Sequence, residues 1–145
     1  MNAVERLEFW GEHHHPKWLD IIRIALGVFL CFRGISFATH MGELMNLMTG
    51  IMPFSTFMLV LIGHYIVFAH IMGGFLLAVG LLTRMACIIQ LPVLMGAIIF
   101  GEFSETLKPF SEAIISVLVL CLLIYFFIIG SGPWSLDKAF EKTDQ

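Results

Sequence analysis

Residues 57–82 read FMLVLIGHYIVFAHIMGGFLLAVGLL, a stretch without any Asp, Glu, Lys or Arg. A bilayer core of about 30 Å is crossed by about 20 such residues in a helix. Three more apolar runs lie at residues 19–37, 86–100 and 114–129, and the four together explain a hydrophobic composition of 59% and a mean hydropathy of +0.91. The runs are continuous rather than alternating, which favours helices over the strands of a barrel. The sequence therefore predicts an all-α fold, a bundle of four transmembrane helices.

The 145 residues leave room for one helical unit, which divides into three parts. Residues 1–17 form a polar leader, and because Trp10 is a residue type found at headgroup level we expect it to be interfacial. No small-residue cleavage site follows a short apolar core, which argues against a removed signal peptide. The membrane domain covers residues 18–138, and residues 139–145 form a polar tail. The tract His13-His14-His15 is interpreted as flexible leader, with a metal-binding tract or a tag remnant as alternatives.

The connection between the first two runs, residues 41–56, has an unusual composition. It is apolar in tone but contains the helix breakers Gly42, Gly50 and Pro53. It is too short and too interrupted to cross a bilayer, and too apolar for a plain aqueous loop. We therefore predict a re-entrant or surface-lying segment between helices 1 and 2.

Basic residues near the ends of the runs predict the orientation. If the N-terminus is cytoplasmic, Lys108 is the one basic residue near the outer ends. The inner side then carries five basic residues: Arg6, Lys17, Arg84, Lys138 and Lys142. This asymmetry follows the positive-inside rule. We expect a multi-pass protein of a bacterial inner membrane with both termini in the cytoplasm.

Charge and cysteine usage exclude several classes of function. The net charge of −3, without a stripe of basic and aromatic residues, argues against a nucleic-acid partner. Cys31, Cys87 and Cys121 all lie inside apolar runs and form no CxxC pair. Buried cysteine is a common small apolar filler, so thiol–disulfide exchange is disfavoured.

A few ionisable residues lie inside the apolar runs, where charge is costly and usually functional. With the N-terminus inside, they concentrate in the outer half, where Arg33 shares a helix face with Ser36 and His40. We expect an outward-opening polar cavity in which Glu102 or Glu112 neutralises Arg33. The candidate ligand-binding residues are Arg33, His40, His64, His70, Glu102 and Glu112. The inner half contains mainly Gln90, with Arg23 close to the interface.

A quinone suits such a cavity, because its carbonyl oxygens need donors and its reduction needs protons in a dry pocket. The structural alternative is a buried network of ion pairs that fixes helix register, or side chains that snorkel to water. Haem and other metals are disfavoured. His64 and His70 are six residues apart, about 120° around one helix, and so do not readily chelate one ion. We assign no metal ligand and no catalytic residue.

Three stretches carry a resemblance to a known family: RIALG at 23–27, GGFLLAVGLLTR at 73–84 and GPWSLD at 132–137. With them, most of residues 19–140 resembles the DoxX family of small four-helix membrane proteins. The resemblance implies an association with quinone-linked sulfur oxidation, as the small subunit of a thiosulfate:quinone oxidoreductase, or with membrane oxidative-stress complexes. Family members often carry Glu three residues before the Gly-Gly pair, where this sequence has His70.

Three functional hypotheses remain open. The first is a redox-associated subunit that binds a quinone-like molecule through Arg33 and His70, with Glu102 or Glu112 as counter-ion and electrons supplied by another subunit. The second is a non-catalytic module that docks a partner protein or its own copies through faces rich in glycine and through residues 41–56. The third, a small transporter, is less favoured because the chain is short and has no inverted repeat.

Overall fold

A computed structural model describes residues 2–13, 16–102, 110–130, 132 and 135–144. Within these ranges every regular element is a helix and no strand occurs, which confirms the all-α prediction. The helices are α1 (Ala3–His13), α2 (Lys17–Thr39), α3 (Met41–Ile51), α4 (Thr56–Phe68), α5 (Gly74–Val79), α6 (Thr83–Glu102), α7 (Phe110–Ile129) and α8 (Leu136–Thr143). A π-helical turn, Ala69–Gly73, joins α4 to α5 without a break.

Among the described residues, two helices are long and apolar enough to cross a membrane. They are α2 and the continuous helix Thr56–Val79, each with a mean hydropathy of 1.9. They correspond to the first and second predicted spans. The third and fourth predicted runs lie in α6 and α7, each of 20 residues, whose apolar parts Thr83–Ile99 and Ile114–Ile129 are shorter.

Glycine lets α2 lie directly against the second long helix. A Cβ atom added at Gly27 would overlap the backbone nitrogen of Ala78 and lie 2.5 Å from the carbonyl oxygen of Gly74. A Cβ atom at Gly34 would lie 2.8 Å from Cβ of His70. Lipid supplies no hydrophobic drive between helices, so close backbone contact at small residues is a main source of attraction.

The core joins all four apolar segments. Fully buried side chains include Leu77 of α5, Cys87 of α6, and Leu123 and Phe126 of α7, and Leu30 of α2 is almost as deeply buried. Helix α6 packs against the π turn, α5 and α7, and α1 packs against α7. The third segment thus packs on the second long helix, and the fourth segment packs on the third.

Residues 41–56 contain a true helix, α3, which packs on α4. A Cβ atom at Gly63 of α4 would lie 3.3 Å from Cε of Met48 and 3.4 Å from the sulfur atoms of Met41 and Met45. These methionines are spaced i, i+4, i+7 and therefore share one helix face. The position of this segment relative to the bilayer stays a prediction.

Candidate functional site

The π turn Ala69–Gly73 interrupts the second long helix near its middle. Side chains from both flanking helices bond to it: the Cys31 thiol donates to the carbonyl of Ile71 at 3.4 Å, and Gln90 Nε2 donates to the carbonyl of Ala69 at 2.6 Å. Single π turns inside α-helices occur frequently at functional sites. This turn is held between α2 and α6, and it carries His70.

The His70 ring is almost fully buried, with 5% of the residue exposed. Its Nδ1 atom lies 2.8 Å from the carbonyl oxygen of Ile66. A carbonyl only accepts, so this geometry assigns the Nδ1 position its hydrogen and leaves Nε2 as the atom that can accept or exchange a proton. The ring meets Phe37 of α2 edge-on, with centroids 5.1 Å apart and an interplanar angle of 83°.

Arg33 contacts the same phenylalanine. Its guanidinium carbon is 5.4 Å from the centroid of the Phe37 ring, which is cation–π distance, and the residue is exposed. Phe37 therefore contacts both a cation and an imidazole. We call Arg33, Phe37 and His70 the aromatic cluster. It offers a fork of N–H donors, an apolar ring surface and a proton-exchanging nitrogen.

Among the described contacts, neither of the other predicted histidines bonds or stacks with this cluster. His64 is exposed and its Nδ1 lies 2.8 Å from the carbonyl oxygen of Val60. His40 is exposed at the end of α2, with Nδ1 3.0 Å from the carbonyl oxygen of Ser36. Each ring is thus engaged by its own helix. Of the six candidates, the structure brings Arg33 and His70 together through a residue, Phe37, that sequence analysis did not single out.

The two predicted counter-ions fall where no side chain is described. Glu102 ends α6 and Glu112 lies in the first turn of α7, but both side chains lie outside the described part of the structure. A pairing of Arg33 with either carboxylate therefore stays a prediction.

Gln90 of α6 is the second buried polar side chain at the π turn. It is fully buried, and beyond its bond to Ala69 the Oε1 atom has no hydrogen-bond partner among the described residues. Its amide lies against Gly73, where an added Cβ atom would come within 2.9 Å of Nε2. The sequence places Gln90 in the inner half, away from the candidate residues, whereas in the structure its amide bonds to the residue before His70.

A second polar cluster, which the sequence analysis missed, lies at the Lys17 end of α2. Arg23 and Asp20 are both 0% exposed and form an ion pair of 2.5 Å. Arg23 Nε also donates to the carbonyl of Leu77 at 3.1 Å. The available signal was the i, i+3 spacing of an acid and a base at the start of an apolar run. Arg23 is therefore an internal residue and not one that reaches for the interface.

Helix α8 docks at the same end. The backbone N–H of Asp137 donates to the carbonyl of Gly80 at 3.3 Å, and its Oδ1 accepts from the N–H of Leu82 at 3.1 Å. Ser135 caps the helix by accepting from the N–H of Lys138. Gly80 has φ = +72°, a conformation that favours glycine. Stretches 23–27, 73–84 and 132–137 thus contribute contacting residues at one end of the bundle.

In the part of the chain that the structure describes, no three His, Cys, Asp or Glu side chains are grouped to hold a metal ion. The three cysteines are free thiols, with Cys87 buried, Cys31 half-buried and Cys121 exposed.

Two apolar helices of membrane-crossing length, packed through glycines and surrounded by outward-facing apolar side chains, define a helical membrane protein. The DoxX family model matches residues 18–103, more than half of the chain, and the protein belongs to the DoxX family. The match confirms the resemblance and ends before the 132–137 stretch. No curated protein and no solved structure matches the chain.

Proposed function

We propose that this DoxX protein is a four-span subunit of a bacterial inner-membrane redox complex and binds a quinone-like molecule at the aromatic cluster. The observation that carries the proposal is that Phe37 contacts both the Arg33 guanidinium and the buried His70 ring. Both termini are cytoplasmic, as the distribution of basic residues indicates.

This topology puts the cluster in the outer half of the bilayer. Arg33 lies six residues before Thr39, the last residue of α2, which corresponds to about 9 Å along a helix. The guanidinium is thus within reach of the outer interface. The buried Asp20–Arg23 pair lies at the opposite, cytoplasmic end of the same helix. A ligand would therefore approach from the outer leaflet.

The donor set fits a quinone. The planar guanidinium can donate to a carbonyl oxygen, and the Phe37 ring can pack against a flat conjugated ring. Because Nδ1 of His70 is engaged by Ile66, Nε2 is the atom that accepts from a quinol hydroxyl or, when protonated, donates to a quinone carbonyl. A bound quinone supplies two-electron, two-proton chemistry. This chain would contribute binding and proton exchange, and a separate redox subunit would deliver the electrons.

The matched variants His70→Ala and His64→Ala test the proposal. Both histidines lie on one helix with Nδ1 bonded to the carbonyl four residues earlier, but only His70 is buried against Phe37. Binding of decylubiquinone to the protein in nanodiscs should weaken at least tenfold in His70→Ala and stay unchanged in His64→Ala. Equal affinity in the wild type and both variants would reject the site. Native mass spectrometry of gently extracted protein would identify the endogenous ligand.

The docking hypothesis is favoured by a different observation and is kept as the second candidate. Gly27, Gly34 and Gly73 are occupied by contacts inside the chain, so they offer no free glycine face. The other docking surface predicted from the sequence, residues 41–56, contains α3. The outward side of α3 carries the exposed polar residues Glu43 and Asn46. Polar side chains are costly against lipid, so α3 would lie at the membrane surface, where a partner can reach it. Loss of a co-purifying polypeptide in Glu43→Ala, with quinone binding absent, would favour docking.

A further inference from the structure

We infer that Gln90 is the positioning residue of the aromatic cluster: it holds the π turn Ala69–Gly73 and so sets where His70 stands against Phe37. As a statement about ligand affinity, this inference rests on the proposed function. As a statement about the geometry of His70, it can be tested without a ligand.

The contact is direct and reaches the residue next to His70. Gln90 Nε2 donates to the carbonyl of Ala69 at 2.6 Å, from a side chain that is fully buried. A backbone carbonyl has two lone pairs and can accept this bond in addition to a helical one. Because the peptide group of Ala69 is bonded directly to His70, fixing that carbonyl restricts the backbone that carries the imidazole.

The π turn is also shaped to receive the amide. At Gly73 an added Cβ atom would lie 2.9 Å from Nε2 and 3.1 Å from Cγ of Gln90. A side chain at this position would therefore push the glutamine away from the turn. The amide is thus bonded to Ala69 and packed against Gly73 of the same turn.

Stability alone does not account for a glutamine here. A buried amide atom without a partner costs free energy, and Gln90 Oε1 has no partner among the described residues. A methionine of similar length would fill the same space without that cost. The benefit of the glutamine must then come from what its bond does to the turn, and the group that the turn carries is the His70 imidazole.

A second hydrogen bond between the same parts of the chain provides a control for the possibility that Gln90 only links two helices. The hydroxyl of Tyr65 on α4 donates to the carbonyl of Ile89 on α6 at 2.8 Å. This bond joins the same two parts of the molecule, one residue from Gln90, but outside the π turn. If Gln90 only linked the helices, Gln90→Met and Tyr65→Phe would have similar effects on the His70 resonances and on ligand binding.

The test compares these variants by NMR of the protein in nanodiscs with ¹⁵N-labelled histidine. The His70 signals are assigned by their loss in His70→Gln. We expect Gln90→Met to move the His70 imidazole resonances and leave those of His64 in place, whereas Tyr65→Phe moves neither. We also expect Gln90→Met to weaken decylubiquinone binding at least fivefold and Tyr65→Phe to leave it unchanged.

The outcomes distinguish the positioning role of Gln90 from the proposed quinone-binding function. Unchanged His70 resonances in Gln90→Met overturn the inference, whatever the ligand does. Shifted His70 resonances in a protein that binds no quinone support the positioning role and reject the proposed function. If Gln90→Met does not fold, Gly73→Ala displaces the amide by its Cβ atom and must move the same His70 resonances. Failure of Gly73→Ala to do so would also overturn the inference.

Discussion

Helix α2 carries an arginine near each end, and the two guanidinium groups have opposite surroundings. Arg23 is fully buried, ion-paired with Asp20 and bonded to the backbone of the second long helix. Arg33 is exposed, and its described contact is the face of Phe37, next to His70. A charge that the chain itself neutralises is part of the architecture, whereas a charge held beside an aromatic ring and an imidazole is available to a ligand.

The largest effect should come from breaking the buried pair. Arg23→Met removes the guanidinium that pairs with the buried Asp20 carboxylate. Breaking a buried pair in this way costs about 3–5 kcal/mol and should abolish folding or sharply lower the midpoint of thermal unfolding in detergent. Arg33→Met should change that midpoint little, because surface substitutions are usually within about 0.5 kcal/mol.

The double variant Asp20→Leu/Arg23→Met provides the internal control for this result. Replacing both members of a buried pair by apolar residues is often neutral or stabilising, so most of the lost stability should return. If Arg33→Met were as damaging as Arg23→Met, the contrast between the two ends of α2 would be wrong.

Alanine substitutions at the two glycines of α2 should have a smaller effect on stability, and their effects on ligand binding should distinguish its two ends. Gly27→Ala places a Cβ atom into the backbone of Ala78, and overpacking of this kind costs about 1–3 kcal/mol. Gly34→Ala should cost a similar amount, because its Cβ atom would press on His70 and Ile71. Only Gly34→Ala should also weaken decylubiquinone binding, since only Gly34 lies under the aromatic cluster.

Gly96 of α6 provides the control for both glycine variants. A Cβ atom there has nothing within 4 Å, so Gly96→Ala should leave thermal unfolding unchanged or stabilise the helix slightly. A loss of ligand affinity in folded Gly27→Ala protein equal to that in Gly34→Ala would mean that the cluster is not a local site.

The parts of this structure that follow from sequence are those that depend on local pattern. The runs at 19–37 and 57–82 predict two long helices because apolar length and helical rise are sufficient to do so. Gly27 and Gly34 are seven residues apart and so share one helix face, and this is the face on which α2 packs against the second long helix. In both cases the property belongs to one segment and needs no partner.

What could not be predicted depends on contacts between segments. The π turn at residues 69–73 is not among the features predicted from the sequence, and the side chains that bond to it, Cys31 and Gln90, come from α2 and α6. Phe37 is one aromatic residue among many in apolar runs, and its role becomes visible only when α2 is placed against the turn. The Asp20–Arg23 pair was visible in the spacing, but its burial depends on Leu77 and Gly80 of the second long helix.

The smallest effect we predict concerns Arg33, the exposed arginine of α2. Arg33→Lys keeps the positive charge but replaces the planar fork of donors by a flexible ammonium that stacks less well on Phe37. Affinity for decylubiquinone should fall roughly tenfold, which is about 1.4 kcal/mol, while the midpoint of thermal unfolding stays the same. Unchanged affinity would show that Arg33 acts by charge alone, so the guanidinium geometry would not be part of the site. A parallel loss of stability would instead place Arg33 with Arg23 as a structural residue, and the two ends of α2 would no longer differ in kind.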